Sequence, residues 1–338
     1  MSRDSLKTLL HPFDAGMLSV PGVGGRVLFL GAEPGFRLPE GFSAELTAVQ
    51  GFRPFFRALQ SAGYRVAPRA EGTDYTLALV LCGRHRGENE ARIAEAVQRV
   101  SPGGLVMVAG AKGDGIASLR KRVAALAALD GQEPKYHGLV FWFRRPAEPA
   151  ELVSALRAGN EGDLVEGRFH TMPGMFSHDR VDVGSRLLAE NLPGDLSGAA
   201  ADFCAGWGYL AAEAARRFPA IRAIDLYDAD FEAVEAAKRN LADLGRPARF
   251  FWHDLASEPV AERYDAVVMN PPFHQGRAAD PGIGQDLIRA AGRALKKGGR
   301  LFLVANRPLP YEDTLRADFA DWWEITRNGG FKVLAARR

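Results

Sequence analysis

Along the second half of the chain, short apolar runs alternate with longer stretches of helical spacing. AAADF (199–203), RAIDLYD (222–228), ARFFWHD (248–254), YDAVVMN (264–270) and RLFLVAN (300–306) have the length and composition of buried strands. Between them, YLAAEAARRF (209–218), FEAVEAAKRNLADLG (231–245) and QDLIRAAGRALKKGG (285–299) repeat apolar residues every three or four positions, the pattern of a helix with one buried face. Asp230 is placed to cap the second of these helices and Gly245 to stop it. AAADF is the weakest strand by propensity, because it is rich in alanine. Strands alternating with helices predict an α/β fold with a doubly wound, mostly parallel sheet. The closing GFKVLAARR supplies a last, antiparallel strand.

The first half repeats this order. Residues 14–35 echo 182–208, DYTLALVLCG (74–83) echoes YDAVVMNPPF, ARIAEAVQRVSPGGLVMVAG (91–110) echoes DLIRAAGRALKKGGRLFLVAN, and HGLVFWFRR (137–145) echoes GGFKVLAARR. Four matched segments in the same order predict two tandem copies of one Rossmann-like fold. The first copy is shorter between its first strand and TLALV, so roughly one βα unit is expected to be missing or shrunken. In it, the place of Asn-Pro-Pro-Phe reads Cys82-Gly83-Arg84-His85. PAEPAELVSALRAGNEGD is polar and carries Pro and Gly, which predicts domains at 1–150 and 171–338 joined by a linker over 151–170.

Composition changes this picture little. The chain has 338 residues, 47% hydrophobic and 25% charged, enough for about two globular domains. Lys+Arg number 43 against Asp+Glu 41, so any nucleic-acid surface has to be local. Cys82 and Cys204 are too few for a disulfide framework or a zinc cluster. No apolar run approaches the ~18 residues of a membrane span. The expectation is a soluble cytoplasmic monomer without metal.

Ligands of open α/β sheets bind beyond the carboxyl ends of the strands. Four such ends stand out. Asp202-Phe203-Cys204-Ala205-Gly206-Trp207-Gly208 is a strand, glycine-loop, helix transition, and Gly206 and Gly208 would let a ligand approach the backbone. It has neither the spacing of a dinucleotide fingerprint nor the lysine of a P-loop. Asp228 can accept bonds from both hydroxyls of a ribose, and its competing use as a helix cap is better filled by Asp230. Asp254, beside His253, can accept a bond from an adenine amine; the bland alternative is a solvated loop aspartate. The fourth end is Asn270.

The order of these four ends resembles that of class I S-adenosylmethionine-dependent methyltransferases. That resemblance assigns Asp202, Gly206 and Gly208 to the cofactor's glycine motif, Asp228 to its ribose and Asp254 to its adenine, with Asn270 beside it. Cys204 departs from the pattern, because a glycine is usual there and a Cβ narrows the loop.

The stretch Asn270-Pro271-Pro272-Phe273-His274 then has a chemical use. The lone pair of an exocyclic base amine is delocalised into the ring, so methylating it is hard. Acceptors for its two N–H groups draw the nitrogen toward tetrahedral geometry. Asn270 offers a side-chain carbonyl and Pro271 a backbone carbonyl, and two prolines hold them rigidly. Phe273 can stack on the flipped base. Asn270, Pro271 and Phe273 are the expected catalytic residues. His274 is left open between a base and an RNA contact.

Flanking residues sharpen the resemblance. Pro173-Gly-Met-Phe-Ser-His-Asp179, Asp182-Val-Gly-Ser185, Asn270 to His274, Val304-Ala-Asn306, Leu309-Pro-Tyr311 and the closing Gly-Phe-Lys-Val together resemble bacterial ribosomal RNA guanine-N2 methyltransferases of the small-methyltransferase family. The resemblance implies methyl transfer to a guanine of 16S ribosomal RNA, with ribosomal RNA or the small subunit as partner, and a non-catalytic first copy. It also implies that the loop around Phe176 and Gly184-Ser185 lies over the cofactor, where the plainer reading of Phe176 is packing beneath the glycine loop. Adenine N6 or a protein glutamine amide is the alternative acceptor, although Phe273-His274 replaces the tyrosine or tryptophan frequent there. A decayed, RNA-binding relative without activity is the reading from another class. Candidate basic surface is scattered over Arg84 to Arg86, Lys112, Arg120 to Arg122, Arg144 and Arg145, Arg277, Lys296 and Lys297.

Overall fold

The computed structural model describes residues 4–160, 164–272 and 281–338, with the backbone of 274–275 and 278–279. The chain divides into two compact units, Met1–Gly162 with Met172–Gly174, and Asp163–Thr171 with Met175–Arg338.

The first unit runs α1 (Asp4–Asp14), β1 (Arg26–Leu30), β2 (Glu45–Val49), α2 (Arg53–Ser61), β3 (Arg65–Ala67), β4 (Tyr75–Leu81), α3 (Arg86–Arg99), β5 (Val100–Ala111), α4 (Ile116–Ala124), β6 (Gly131–Lys135), β7 (Gly138–Arg144) and α5 (Ala150–Arg157). The second runs α6 (Val183–Glu190), β8 (Gly198–Phe203), α7 (Tyr209–Arg217), β9 (Ile221–Asp228), α8 (Phe231–Asn240), β10 (Ala248–Trp252) and β11 (Tyr264–Met269). The short pair β12 (His274–Gln275) and β13 (Ala278–Ala279) follows, then α9 (Pro281–Ala294), β14 (Leu295–Asn306), α10 (Tyr311–Asp318), β15 (Asp321–Asn328) and β16 (Phe331–Arg337).

The two seven-stranded sheets have the same order, β3-β2-β1-β4-β5-β7-β6 and β10-β9-β8-β11-β14-β16-β15. In each, the first five strands in that order pair in parallel and the last two join antiparallel. The duplication read from four echoed segments is therefore a duplication of topology, strand for strand. The order reverses between β8 and β11, which places a ligand crevice beyond the carboxyl ends of those strands.

Period-two alternation sorts the second sheet's residues onto two faces. Ala200, Leu226, Ala266, Val268, Phe302 and Val304 share one core with residues of α6, α7 and α8. Ala201, Phe203, Val267, Met269, Leu301 and Leu303 share the other with α9 and α10. Alanine-rich β8 holds as a strand because it is central and hydrogen-bonded on both edges, so burial outweighs its poor propensity.

Several expectations need correction. No strand is missing from the first copy. The lost element is a helix: residues 31–44, between β1 and β2, contain none, whereas α7 fills that interval in the second unit. The expected linker is no linker at its start, because α5 buries Leu152, Val153 and Leu156 in the first core. Leu152 and Val153 are followed one turn later by Leu156, a signal masked by the Pro and Gly around them. The last turn expected of α9 is instead the start of β14, where Leu295 pairs with Tyr264 before a bulge. Gly298, at φ 78°, is in a left-handed conformation that a helical turn excludes.

The register also moves the comparison at the elbow by one residue. Tyr75 and Tyr264 stand at the same point, each paired just before a bulge with the first residue of the next strand. Counting on, Val80 matches Met269 and Leu81 matches Asn270. The first unit therefore has Leu81, Cys82 and Gly83 where the second has Asn270, Pro271 and Pro272. Leu81 pairs with Ala109, and the Cys82 amide donates to the Ala109 carbonyl at 2.8 Å. Pro271 has no N–H to give, and the β11–β14 pairing stops at Met269 and Leu303. The missing donor lets the chain leave the sheet at Asn270.

Candidate active site

The glycine loop leaves β8 through Asp202, which is fully buried. Its Oδ2 accepts from the Ala211 amide in the first turn of α7 at 2.9 Å, a favourable place for a carboxylate at a helix N-terminus. Its Oδ1 has no partner among the described residues. Burial pushes the carboxyl well above the ordinary aspartate range, the Ala211 bond opposes this, and the nearby Asp228 charge adds to it. Burial and the same two carboxylates push the Cys204 thiol up, so it stays protonated.

Cys204 has φ 60°, the left-handed conformation usually reserved for glycine. Gly31, its counterpart in the first unit, has φ 70°. The loop thus keeps the backbone shape that a glycine would give, at the cost of strain. The two true glycines serve different ends. A Cβ on Gly206 would meet no atom within 4 Å, in the cleft this residue lines, whereas one on Gly208 would lie 2.6 Å from Leu241 Cδ1. Gly206 permits ligand approach. Gly208, at φ 92°, opens α7 in the left-handed conformation that favours glycine, and a side chain there would also have to displace the end of Leu241.

Asp228 ends β9 and holds the loop from below. Its Oδ2 accepts from the Gly206 amide at 2.7 Å and its Oδ1 from the Asp230 amide at 2.8 Å. A carboxylate has about four lone-pair sites, so ribose hydroxyls can still be accepted. Burial raises its pKa against the backbone bonds from Asp230, Gly206 and Ala229, which lower it. Asp230 caps α8 as expected, accepting from the Glu232 and Ala233 amides. Asp254 closes a turn: it accepts from the Ala256 amide at 3.1 Å and from the Ser257 hydroxyl. The adjacent His253 ring bonds the Glu258 carbonyl.

Asn270 is held by a clamp that its own segment does not reveal. Its Nδ2 donates to Asp182 Oδ2 at 3.0 Å and to Ser185 Oγ at 2.8 Å. The Ser185 amide donates to the same Asp182 oxygen at 2.8 Å, which makes Asp182 the N-cap of α6. A carboxylate only accepts, so the Asn270 amide has one possible orientation. Both its hydrogens are engaged, and Oδ1 is the group left to face a substrate.

Phe176, Ser177, Asp182, Ser185, Gly206 and Asn270 line one shallow cleft that opens to solvent. Phe176 is 63% exposed, so it is a rim residue and not core packing. Its carbonyl accepts from Trp207 Nε1 at 3.1 Å, tying the rim to the glycine loop. Asn240 ties the same loop from α8, donating to the carbonyls of Trp207 and His170 at 2.9 Å each. Gly184 packs against Phe331. Nothing local to Asn240 or Asp182 signals these bonds. Pro271 is buried and Pro272 exposed. Phe273, the His274 side chain and Arg277 lie outside the described residues.

S-Adenosylmethionine, which the resemblance implies, carries a sulfonium and an ammonium group against one carboxylate. The site fits such a ligand on three observations. A buried carboxylate oxygen lacks a donor, Gly206 leaves open space along the loop, and Asp182 lines the cleft with two further acids at the loop's base. No group of side chains able to hold a metal ion occurs among the described residues.

Residues 166–335 match the methyltransferase small domain family. Ribosomal RNA small subunit methyltransferase C of Escherichia coli is 32% identical over 253 residues, covering 75% of this chain and 73% of that protein. The chain belongs to this family. The same enzyme of Escherichia fergusonii matches to the same extent. The 16S rRNA N2 methyltransferase RsmC of T. thermophilus, solved with AdoMet and guanosine, superposes with a TM-score of 0.80. It is 25% identical and covers 99% of this chain and 92% of its own. That superposition takes in both units of the chain, whereas the family match covers the second alone.

Proposed function

We propose that this protein transfers a methyl group from S-adenosylmethionine to the exocyclic N2 amine of a guanine in 16S ribosomal RNA. The observation that carries the reading is the Asn270 clamp, a side-chain carbonyl fixed at the rim of a glycine-loop cleft in a chain of this family. When bound, the cofactor supplies an electrophilic methyl on a sulfonium.

The protein's part is positioning. Asn270 Oδ1 and the Pro271 carbonyl accept from the two N2 hydrogens. This localises the nitrogen lone pair and stabilises the positive charge that grows on N2 during attack. Pro271 and Pro272 keep the acceptors rigid, because neither residue can rejoin the ladder that Cys82 continues in the first unit. Phe273 is assigned to stacking on the base, Asp228 to the ribose, Asp254 to the adenine, and Asp202, Cys204, Gly206 and Gly208 to the loop around the methionine moiety. The first unit takes no part in chemistry in this reading: Leu81 replaces Asn270, Phe29 replaces Asp202, and the helix after the loop is gone.

Tritiated methyl transfer to isolated small subunits, free ribosomal RNA, DNA and protein, followed by base mapping, tests the proposal. Label on guanine N2 is expected. Label on adenine or on a glutamine amide refutes the acceptor, and tight cofactor binding without transfer to any substrate refutes the enzyme. Asn270→Ala should abolish transfer and leave cofactor affinity nearly intact.

A further inference from the structure

β14 neighbours β11 in the sheet and runs past the acceptor elbow. Met269 pairs with Leu303, so Asn270 is level with Val304, and β14 continues to Asn306. Side chains alternate between the two faces of a strand. Phe302 and Val304 point into the core shared with α6, α7 and α8, so Asn306 emerges on that face. Asn270 emerges on it too, since its amide bonds Asp182 and Ser185 at the start of α6. Two asparagine amides therefore leave neighbouring strands on one face, at the ligand end of the sheet. With ~3.3 Å per residue along a strand and ~4.8 Å between strands, their Cα atoms are roughly 8 Å apart.

The backbone of Asn306 is held firmly. It pairs with Phe331 of β16, its carbonyl accepts from the Leu309 amide at 3.0 Å, and the next amide, that of Arg307, donates to the Gly330 carbonyl at 2.8 Å. The turn that follows is pinned by Lys332, which is buried and donates from Nζ to the Leu309 carbonyl at 2.8 Å and to Glu312 Oε1 at 2.6 Å. An asparagine at the start of a turn commonly closes it with its side chain. Here the backbone closes the turn, and the half-buried Asn306 amide forms no hydrogen bond among the described residues. The first unit is a control. By register, Leu81, Ala111 and Gly138 stand where Asn270, Asn306 and Phe331 stand, so the unit without the elbow lacks both amides.

In the reaction proposed above, Asn270 Oδ1 and the Pro271 carbonyl take the two N2 hydrogens of guanine. N1–H and O6 follow N2 along the same edge of the base, on the side away from the sugar. A primary amide matches that pair, its oxygen accepting from N1–H and its NH₂ donating to O6. We propose that Asn306 reads these two groups and is the residue that selects guanine at the acceptor site. The inference rests on the reading that guanine N2 is methylated. An adenine whose exocyclic amine enters the elbow brings an N1 without hydrogen and no oxygen beyond it. The amide then keeps one bond at most and is left with an unpaired oxygen, and it is the unpaired group that makes a polar site reject the wrong base.

The test uses the full chain and 16S ribosomal RNA, naked or reconstituted into small subunits as the wild type requires, with guanine or 2-aminopurine at the mapped position. 2-Aminopurine keeps the N2 amine and lacks both N1–H and O6. The readout is the ratio of kcat/KM for the two RNAs, and comparing that ratio between wild type and variant cancels any intrinsic difference in reactivity between the bases. Asn306→Ala should lose about 10- to 100-fold on guanine and less than about threefold on 2-aminopurine, so the ratio narrows by about tenfold or more. Asn306→Ser, polar but too short to span both groups, should narrow it likewise. S-Adenosylmethionine affinity by calorimetry, expected within about twofold of wild type, checks the folding of both variants. A ratio within about twofold of wild type in the folded variants, with guanine still labelled, overturns the role of Asn306 and leaves the reaction standing. Wild-type label on adenine or on a glutamine amide, and none on guanine, overturns the reaction and this proposal with it.

Discussion

Replacing Asp182 by alanine separates positioning from cofactor binding. In the wild type, Asp182 Oδ2 receives Asn270 Nδ2 at 3.0 Å and the Ser185 amide at 2.8 Å. Alanine removes both bonds. Loss of the α6 cap should cost about 0.5–2 kcal/mol of stability, which leaves a folded protein. The loss at Asn270 falls on the reaction. A hydrogen bond to a charged acceptor contributes about 1.5–3 kcal/mol, and without it the amide can turn its NH₂ toward the base. If that energy is lost from the transition state, kcat falls roughly ten- to 150-fold. S-Adenosylmethionine affinity should change less than about threefold, because Gly206 and Asp228 are untouched. Asp182→Asn keeps an acceptor at the same atom and should recover most of the rate. The assay is single-turnover methyl transfer beside calorimetric titration of the cofactor. A kcat within about threefold of wild type for Asp182→Ala would refute the clamp, as would equal losses in rate and cofactor affinity.

Three further outcomes follow from the same geometry. Pro271→Ala restores the N–H that Cys82 uses in the first unit, so β11 should extend by one ladder bond; stability holds or rises by about 1 kcal/mol while single-turnover transfer drops. Cys204→Gly relieves a left-handed residue worth about 1–2 kcal/mol, less about 0.5–1 kcal/mol for glycine's freer unfolded chain, and a urea midpoint that falls below wild type would contradict this. Asp202→Asn removes a buried carboxylate whose pKa is raised on folding. The folded wild type holds that proton to higher pH than the unfolded chain, so its stability declines as pH rises from the ordinary aspartate pKa toward the folded one. The variant should therefore be more stable than wild type at neutral pH, lose that advantage as the solution is acidified through the folded pKa, and bind S-adenosylmethionine more weakly throughout.

What the chain discloses by itself follows the range of the forces involved. Strands β8, β9, β11 and β14 declare themselves because burial imposes a run of apolar residues on each, and the acids stand out because they end those runs. The duplication is legible for the same reason. Contacts between distant segments are not. Asp182 and Asn270 are separated by 88 positions, and no local rule joins them. The one-residue slip that set Cys82 against Asn270 arose because apolar runs show no register; the bulge after Tyr75 and Tyr264 fixes it in three dimensions. Helix α5 is hidden by its flanks, since the Pro and Gly around it weigh more in a composition argument than three apolar residues spread over one turn.

The missing amide at Pro271 also bears on how such a site can be lost. In the first unit a single N–H, that of Cys82, zips the strand shut one residue further. In the second, proline works as a wedge that keeps the zip from closing. A site held open by an omitted bond gains no stability from being open, so any substitution that restores the donor is favoured by folding and opposed only by the need for activity. A copy released from that need would close at this point, and the first unit, with its ladder complete through Leu81 and Cys82, has the form that such a closure leaves behind.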